Sequence, residues 1–182
     1  MCLILVLDLD ETLVFASAIK PQGDSIAVKV GRRRMFVRMR PGVVDLIKQI
    51  SALFEVFFFT ASSREYANQI IDAIAPDTPE SHRFFRESCV TRCGYPVKDL
   101  RLLERPMSRI LIVDDMEGSA LMQPKNLIRV SPWYGDDNDK VLIEQLMPVL
   151  LGIACEADLP TACLRVMDQQ QFPELFTSQL IA

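Results

Sequence analysis

The amino-terminal segment places a continuous apolar run directly before a pair of aspartates, and this junction constrains the fold more than any other feature. Residues 1–7 contain no charged side chain, and Asp8 and Asp10 follow at once. An apolar run of this length is typical of a strand buried on both faces, as at the centre of a parallel sheet. Because open α/β sheets bind ligands beyond the carboxyl ends of their strands, we expect chemistry beside Asp8.

Strand and helix patterns alternate along the rest of the chain, which predicts a Rossmann-like α/β domain with a parallel sheet flanked by helices. Further buried strands are expected at 56–59 and 110–113, and a short strand at 127–130. Helices are expected at 43–53, at 62–75 with a Ser62/Glu65 capping box, and at 139–151, where Pro148 kinks or shortens the helix. Alternating residues on both sides of Gly31 predict a β-hairpin over 26–39.

Length and composition indicate one globular domain. The chain has 182 residues, of which 49% are apolar and 24% charged, and a single core serves about 100 to 200 residues. The net charge of −4 gives no broad positive field for nucleic acid, so no direct nucleic-acid partner is expected. No apolar run reaches the roughly 18 residues of a membrane span, so no membrane association of this chain is expected.

The cysteine and histidine content indicates the cellular compartment and limits the metal sites that are possible. The odd number of cysteines, five, favours reduced thiols and a cytoplasmic or nuclear protein. A single histidine, His82, excludes a site with several histidine ligands. The group Cys89, Cys93 and His82 lacks a fourth soft ligand, which favours a role other than metal binding.

The first candidate group is Asp8, Asp10 and Thr12, directly after the apolar run. Residues two apart in an extended chain point the same way, so the two carboxylates share a face. Like charges this close are costly to bury unless a cation or hydrogen bonds compensate. A strand-end turn or helix cap is the ordinary alternative for such a pair, but matching residues at other strand ends favour a site.

Three other strand ends or loops supply complementary side chains. Thr60 and Ser62 place hydroxyls beside a predicted helix N-terminus, which suits a phosphate oxygen. Lys98 offers a cation for a phosphoryl group. Asp114 and Asp115 end a buried strand and add the hard oxygen ligands that Mg²⁺ prefers. Each feature alone is ordinary, since hydroxyls cap helices and lysines are often solvated, but together they predict a phosphate and Mg²⁺ site.

Two sets of side chains outside these groups need separate interpretation. Arg32–Arg34 at the hairpin turn, with Arg38 and Arg40, form either a solvated tip or a surface that attracts an acidic or phosphorylated peptide. The aromatic pair Trp133 and Tyr134 is expected in the core.

Several motifs resemble the haloacid dehalogenase superfamily, and within it the FCP/SCP-like small phosphatases that act on the carboxy-terminal domain of RNA polymerase II. The resemblance covers about residues 3 to 150 and includes the following segments: Leu-Val-Leu-Asp-Leu-Asp-Glu-Thr-Leu-Val (5–14), Arg40-Pro41-Gly42, Phe59-Thr60-Ala61-Ser62, Tyr66-Ala67, Phe85-Arg86-Glu87-Ser88-Cys89, Val97-Lys98-Asp99-Leu100 and Val113-Asp114-Asp115. It departs at Asp115, where many of the small phosphatases have Asn and other branches have Asp. We expect the phosphatase domain at 1–152 and a carboxy-terminal tail or closing helix at 153–182.

The resemblance implies a role for each matched residue. Asp8 would be the nucleophile that becomes aspartyl-phosphate, and Asp10 the general acid and base. The remaining roles are substrate binding by Thr60, Ala61, Arg86 and Lys98, Mg²⁺ binding by Asp8, Asp10 and Asp114, and support by Thr12 and Asp115. The implied activity is that of a Mg²⁺-dependent protein serine/threonine phosphatase, with a phosphorylated protein such as the RNA polymerase II carboxy-terminal domain as substrate.

Two alternative functions stay open on the sequence. One is an inactive binding module of the mitochondrial translocase receptor type, which the joint presence of the candidate aspartates, Thr60 and Lys98 disfavours. The other is a small-metabolite phosphatase of the wider superfamily. Against it, neither segment between the motifs has room for a large cap domain of the kind that closes over small substrates.

Overall fold

A six-stranded sheet forms the framework of the computed structural model, which describes residues 2–92, 94–169 and 172–177. The strands, in chain order, are β1 (Leu3–Leu7), β2 (Val14–Ser17), β3 (Ile26–Val30), β4 (Arg33–Met39), β5 (Phe54–Phe59), β6 (Arg83–Phe84), β7 (Val90–Arg92), β8 (Tyr95–Val97), β9 (Ile110–Asp114), β10 (Leu127–Val130) and β11 (Leu175–Thr177). The α-helices are α1 (Val43–Ile50), α2 (Arg64–Ile74), α3 (Met147–Ile153) and α4 (Leu159–Gln169).

The order of the strands brings three carboxyl ends together. The sheet runs β11-β10-β9-β1-β5-β6, and every pairing is parallel except that of β10 with β11. Leu7 at the end of β1 lies beside Val113 of β9 and Phe58 of β5. The residues that follow these strands therefore meet at one edge, as the sequence predicts.

Both faces of β1 are buried, which explains its uninterrupted apolar sequence. Leu5 and Leu7 belong to a core that includes buried apolar residues of all four α-helices. Ile4 and Val6 pack on the opposite side, with apolar residues of short 3₁₀ segments. The parallel sheet flanked by helices confirms the predicted Rossmann-like fold class.

The predicted hairpin is present and carries a third strand. β3 and β4 pair antiparallel, and β2 adds to the other side of β4. This small sheet lies in the segment between Thr12 and Thr60, while the segment between Thr60 and Lys98 holds α2 and several short elements. Within the ranges that the structure describes, no large cap domain is inserted between the motifs.

The structure corrects the predicted start of α2. The N-cap of this helix is Ser63, whose side chain makes no capping bond, so the Ser62/Glu65 capping box is wrong. Instead, the Ser62 hydroxyl donates to Asp10, and Glu65 accepts a hydrogen bond from the Gly31 backbone N–H. Contacts with distant loops therefore replace the local cap.

Two further predictions differ from the structure, and one element is not predicted. Trp133 is buried, but Tyr134 is 66% exposed and packs edge-on against Phe15, so the placement of Tyr134 in the core is wrong. The last predicted helix begins as a π-helical segment, Val141–Leu146, and continues as α3, which has Pro148 near its start. The sequence does not predict the β7–β8 hairpin, because its strands are three residues long and largely exposed.

The carboxy-terminal segment packs against the main core where it is described. Leu159 and Cys163 of α4 and Leu175 of β11 are buried in that core. A domain boundary at residue 152 stays a prediction. Among the residues described, no helix is long and apolar enough to cross a membrane.

The structure describes only part of the cysteine and histidine group. The ring of His82 stacks on Phe57, and its Nδ1 lies 3.1 Å from the Val56 carbonyl oxygen. These contacts give His82 a packing role beside β5. Cys93 lies outside the described residues, so the non-metal role of the group as a whole stays a prediction.

Candidate active site

A cavity of about 740 Å³ opens at the edge where β1, β5 and β9 end. The sheet topology explains its composition, because side chains just after parallel strands converge there. The cavity is lined by every residue to which the resemblance gives a role, except Thr12: Asp8, Asp10, Thr60, Ala61, Arg86, Lys98, Asp114 and Asp115. Thr12 lies fully buried next to Asp8.

Lys98 forms the electrostatic centre of the site. Its ammonium donates to Asp8 Oδ1 at 2.5 Å and to Asp114 Oδ2 at 2.6 Å, and all three side chains are buried. The Lys98 backbone N–H bonds the Ser119 carbonyl oxygen at 2.7 Å, which fixes the loop after β8. Burial alone would lower the pKa of Lys98, but the carboxylates of Asp114 and Asp8 outweigh burial and raise it, so this side chain stays charged.

For Asp8, in contrast to Lys98, the effect of burial on the pKa is larger than the effect of the oppositely charged partner. Burial, opposed by Lys98 and reinforced by Asp114, raises the pKa of Asp8 to about 8. One ammonium faces two buried carboxylates, so the pair of aspartates has more negative charge than Lys98 can neutralise. A further cation at this position would favour the ionised form of Asp8.

The carboxylates of Asp8, Asp114 and Asp115 fit a divalent cation. Each offers an oxygen, and these oxygens all lie within 4.8 Å of one another. Hard oxygen donors with this much uncompensated charge suit Mg²⁺, which usually binds through a few carboxylates and water. Burial, followed by the nearby Asp114, also raises the pKa of Asp115.

The Thr12 hydroxyl lies within hydrogen-bond distance of two of these carboxylates. It lies 3.0 Å from Asp8 Oδ2 and 3.2 Å from Asp115 Oδ1, and it accepts the Asp115 backbone N–H at 3.1 Å. A hydroxyl has one proton, so it donates to one carboxylate at a time. Thr12 therefore fixes the spacing between the ends of β1 and β9.

Asp10 has a separate set of partners. The Ser62 hydroxyl donates to its Oδ2 and the Tyr66 phenol donates to its Oδ1, each at 2.6 Å. Burial and the charge of Asp10 raise the pKa of Tyr66, which keeps the phenol protonated and able to donate. The Asp10 carboxylate is thus held toward α2 and is not among the three carboxylates that lie close enough to share a cation.

The loop after β1 has an unusual backbone conformation at Glu11. Glu11 adopts a φ of 57°, in the left-handed region that residues other than glycine rarely occupy. Its N–H bonds the Val14 carbonyl oxygen at 2.8 Å, and its own carbonyl oxygen accepts the Trp133 backbone N–H at 2.7 Å. These bonds hold a conformation that would otherwise cost free energy.

Thr60 and Arg86 border the cavity beside α2. The Thr60 hydroxyl accepts the Ser62 backbone N–H at 3.0 Å, and the Nε of Arg86 donates to the Ala61 carbonyl oxygen at 2.8 Å. This anchor leaves the terminal N–H groups of Arg86 without a hydrogen-bond partner in the described part of the chain. A hydroxyl and a guanidinium at a helix start form an environment that suits a phosphate.

The sequence does not predict how Asp10 is held. It indicates a helix cap and phosphate binding for Ser62, and Tyr66 enters only as part of a motif. A signal is present nonetheless, since both residues follow the end of β5, which reaches the same sheet edge as Asp10. The catalytic and binding roles of the residues in the cavity stay predictions.

Comparisons with known proteins show the family of this chain. The sequence profile of the NLI interacting factor-like phosphatase family matches residues 3–160. The chain is 33% identical to phosphatase PSR1 of Saccharomyces cerevisiae over 159 residues, which are 85% of this chain and 37% of that relative. It is 36% identical to the human CTD small phosphatase-like protein over 159 residues, 85% of this chain and 57% of that relative.

A solved structure of Fcp1, described as an essential RNA polymerase II CTD phosphatase, has a similar fold. The TM-score is 0.61 at 20% identity, and the match covers 93% of this chain and 54% of that one. The chain spans less than two thirds of each of these three proteins. With a family profile that matches most of its length, this chain belongs to the NLI interacting factor-like phosphatases, within the haloacid dehalogenase superfamily.

Proposed function

We propose that this protein is a Mg²⁺-dependent protein serine/threonine phosphatase that forms an aspartyl-phosphate on Asp8. The observation that carries the proposal is that two aspartates in the same cavity have different partners. Asp8 lies buried against Lys98 and Asp114, whereas Asp10 is held apart by two hydroxyl donors in the same cavity. Two carboxyl groups with different surroundings suit a nucleophile and an acid–base group.

The residues that would hold Mg²⁺ are Asp8 and Asp114 through their carboxylates, with Asp115 beside them. Because the Asp10 carboxylate bonds Ser62 and Tyr66, we assign its part in metal binding to its backbone carbonyl oxygen. When bound, Mg²⁺ offsets the repulsion between an anionic phosphate and a carboxylate nucleophile.

The first half of the reaction transfers the phosphoryl group to the enzyme. An oxygen of Asp8 attacks phosphorus, and the bond from phosphorus to the serine or threonine oxygen breaks. Asp10, protonated for this step, gives its proton to the leaving oxygen. Lys98, Arg86 and the Thr60 hydroxyl would bind the phosphate oxygens, together with the Ala61 backbone N–H.

The second half hydrolyses the aspartyl-phosphate. Asp10, now ionised, accepts a proton from a water that attacks phosphorus. The acyl phosphate bond breaks, which releases inorganic phosphate and restores the Asp8 carboxylate. Asp10 therefore regains the proton that the next cycle needs.

Two observations favour a phosphoprotein over a metabolite as substrate. The site is open, since no large cap domain lies between the motifs in the part of the chain that is described. Relatives above 30% identity include a yeast phosphatase and a human CTD small phosphatase-like protein, which supports a phosphorylated protein, such as the RNA polymerase II carboxy-terminal domain, as the substrate. A cytoplasmic or nuclear location stays a prediction.

Hydrolysis of an aryl phosphate with and without Mg²⁺ tests the proposal. We expect turnover with Mg²⁺, loss of turnover in a chelator, recovery when Mg²⁺ is restored, and inhibition by beryllium fluoride, which with Asp8 mimics an acyl phosphate. Activity that survives the chelator would contradict the assignment of the aspartates as metal ligands. Absence of turnover under every condition would favour the inactive binding module.

A further inference from the structure

Two arginines of the hairpin region have structural roles. Arg40 is buried and donates to both oxygens of Asp139 at 2.8 Å. Arg38 donates to the Gly135 carbonyl oxygen and pairs with Asp137. These two arginines hold the segment around residues 135–139 and are therefore not available to a ligand at the cavity.

The alternation of β4 separates the remaining arginines. Arg33 and Met35 point to one face and line the cavity, together with Val30, the residue that pairs with Arg33 on β3. Arg34 points to the other face, where its guanidinium lies 5.6 Å from the centre of the Phe36 ring. Of the three arginines at the turn, Arg33 alone lines the cavity that contains Asp8.

The hairpin that carries Arg33 is hydrogen-bonded to α2. The Gln69 amide donates to the Lys29 carbonyl oxygen at 2.8 Å and accepts the Lys29 N–H at 3.1 Å, and Glu65 accepts the Gly31 N–H at 3.0 Å. α2 begins shortly after β5 and also carries Tyr66, which bonds Asp10. The hairpin and the reaction centre are thus fixed to the same helix.

Arg33 carries a charge that the protein does not neutralise. Within the described ranges, its guanidinium makes no ion pair or hydrogen bond, although five acidic side chains line the same cavity. The Lys98 charge is already shared by Asp8 and Asp114, and Arg86 is anchored beside the proposed phosphate position. Arg33 is therefore a cation of the cavity that the proposed reaction does not use.

We infer that Arg33 is a subsite for a second anionic group on the peptide substrate, either a carboxylate or another phosphate near the phosphorylated residue. The inference rests on the proposed function and names its substrate class. A cavity of about 740 Å³ has the size of sites for ligands much larger than a phosphoryl group. The planar guanidinium binds carboxylates and phosphates with two parallel hydrogen bonds, and the Arg33 side chain is exposed, so a ligand in the cavity can reach it.

Direct binding tests the inference independently of turnover. Fluorescent peptides of one sequence would carry a non-hydrolysable phosphonate in place of phosphoserine, with Mg²⁺ present. The flanking positions would be neutral in one peptide, would hold a glutamate at successive positions in a second set, and would hold a second phosphonate in a third. Anisotropy would give Kd for the wild type, Arg33→Gln and Arg34→Gln, the last being a charge-matched control on the opposite face of β4.

We expect the wild type to bind the best anionic peptide about three- to tenfold more tightly than the neutral one, with a smaller ratio at high salt. Arg33→Gln should abolish this ratio, Arg34→Gln should keep it, and both variants should hydrolyse an aryl phosphate at the wild-type rate. Equal ratios in all three proteins, or no preference in the wild type, would overturn the inference. If the wild type does not hydrolyse aryl phosphate with Mg²⁺, the proposed function is refuted. The ratios of the Kd values still decide the role of Arg33 in that case.

Discussion

At the residue scale, the two aspartates of the first motif differ because their partners differ. Asp8 faces the Lys98 ammonium and the Asp114 carboxylate, and burial raises its pKa to about 8. Asp10, two residues later, accepts hydrogen bonds from two neutral hydroxyl groups. Hydroxyl donors orient a carboxyl group without giving it a permanent counter-charge, which suits a group that must gain and lose a proton.

This arrangement predicts the effect of Asp10→Asn. The amide keeps the shape of the carboxyl group but cannot transfer the proton, so kcat with an aryl or peptide phosphate should fall about 10²- to 10⁴-fold. Steady-state kinetics and a thermal melt of the same sample would separate this effect from unfolding. Tyr66→Phe serves as a comparison, since it removes one hydrogen bond to Asp10 and should lower kcat much less. Near-normal kcat in the Asp10→Asn enzyme would contradict the acid–base role.

The sequence predicts the site residues that stand at strand ends, but it leaves two interpretations open for Arg32–Arg34 and does not single out Arg33. Asp8, Thr60 and Asp114 directly follow or end apolar runs, so the direction of the strands places them together. Arg33 depends on the register of the hairpin and on the docking of the hairpin against α2. Such tertiary contacts leave no periodic pattern in one sequence.

At the element scale, Arg40 connects three segments around the site. Its guanidinium donates to Asp139 twice, to the Thr12 carbonyl oxygen at 3.1 Å and to the Ser131 carbonyl oxygen at 3.0 Å. It is only 1% exposed. The end of β4, the loop after β1 and the segment before the π-helical turn are therefore held by one side chain.

Replacing Arg40 should destabilise the protein strongly. Arg40→Met would leave Asp139 and two carbonyl oxygens without their donor, and the loss of one partner of a buried ion pair costs about 3–5 kcal/mol. Urea unfolding at neutral pH would measure this difference. Arg38→Met is the matched control, because its ion-pair partner Asp137 is 80% exposed and its loss should cost about 1 kcal/mol. Similar losses in the two variants would contradict the structural role of Arg40.

Helices and strands with long apolar patterns are predicted well, and short elements are not. α1 places Val43, Ile47 and Ile50 on its buried face, as the spacing predicts, but it ends at Ile50 rather than at residue 53. Gly42 precedes it with a φ of 81°, where an added Cβ would lie 2.3 Å from Ile143. This close approach involves a distant segment, and such a contact cannot be read from local periodicity.

At the scale of the whole molecule, the site lies at an open sheet edge beside a small hairpin. β2, β3 and β4 border one side of the cavity through Ala16, Val30, Arg33 and Met35. An extended peptide can lie against such a surface while its phosphate enters the pocket. A small metabolite has no extended peptide segment beside its phosphate that could contact this surface.

This geometry predicts the ranking of substrates. A phosphoserine or phosphothreonine peptide from a flexible protein segment should have a higher kcat/KM than sugar phosphates, nucleotides or free phosphoserine, because contacts outside the phosphate add binding free energy. Phosphate release measured across such a panel at equal ionic strength would check the ranking. Equal or better efficiency on a metabolite would favour the small-molecule phosphatase.

The covalent role of Asp8 is tested most directly by the rate of Asp8→Asn with an aryl phosphate and Mg²⁺. The amide lacks the nucleophilic oxygen, so turnover should fall to the background rate. The melting temperature should not decrease, because the change removes a buried carboxylate and leaves Lys98 paired with Asp114. Asp45→Asn, the same change at an exposed position of α1, should keep full activity. Turnover near the wild-type level in Asp8→Asn would contradict an aspartyl-phosphate on Asp8.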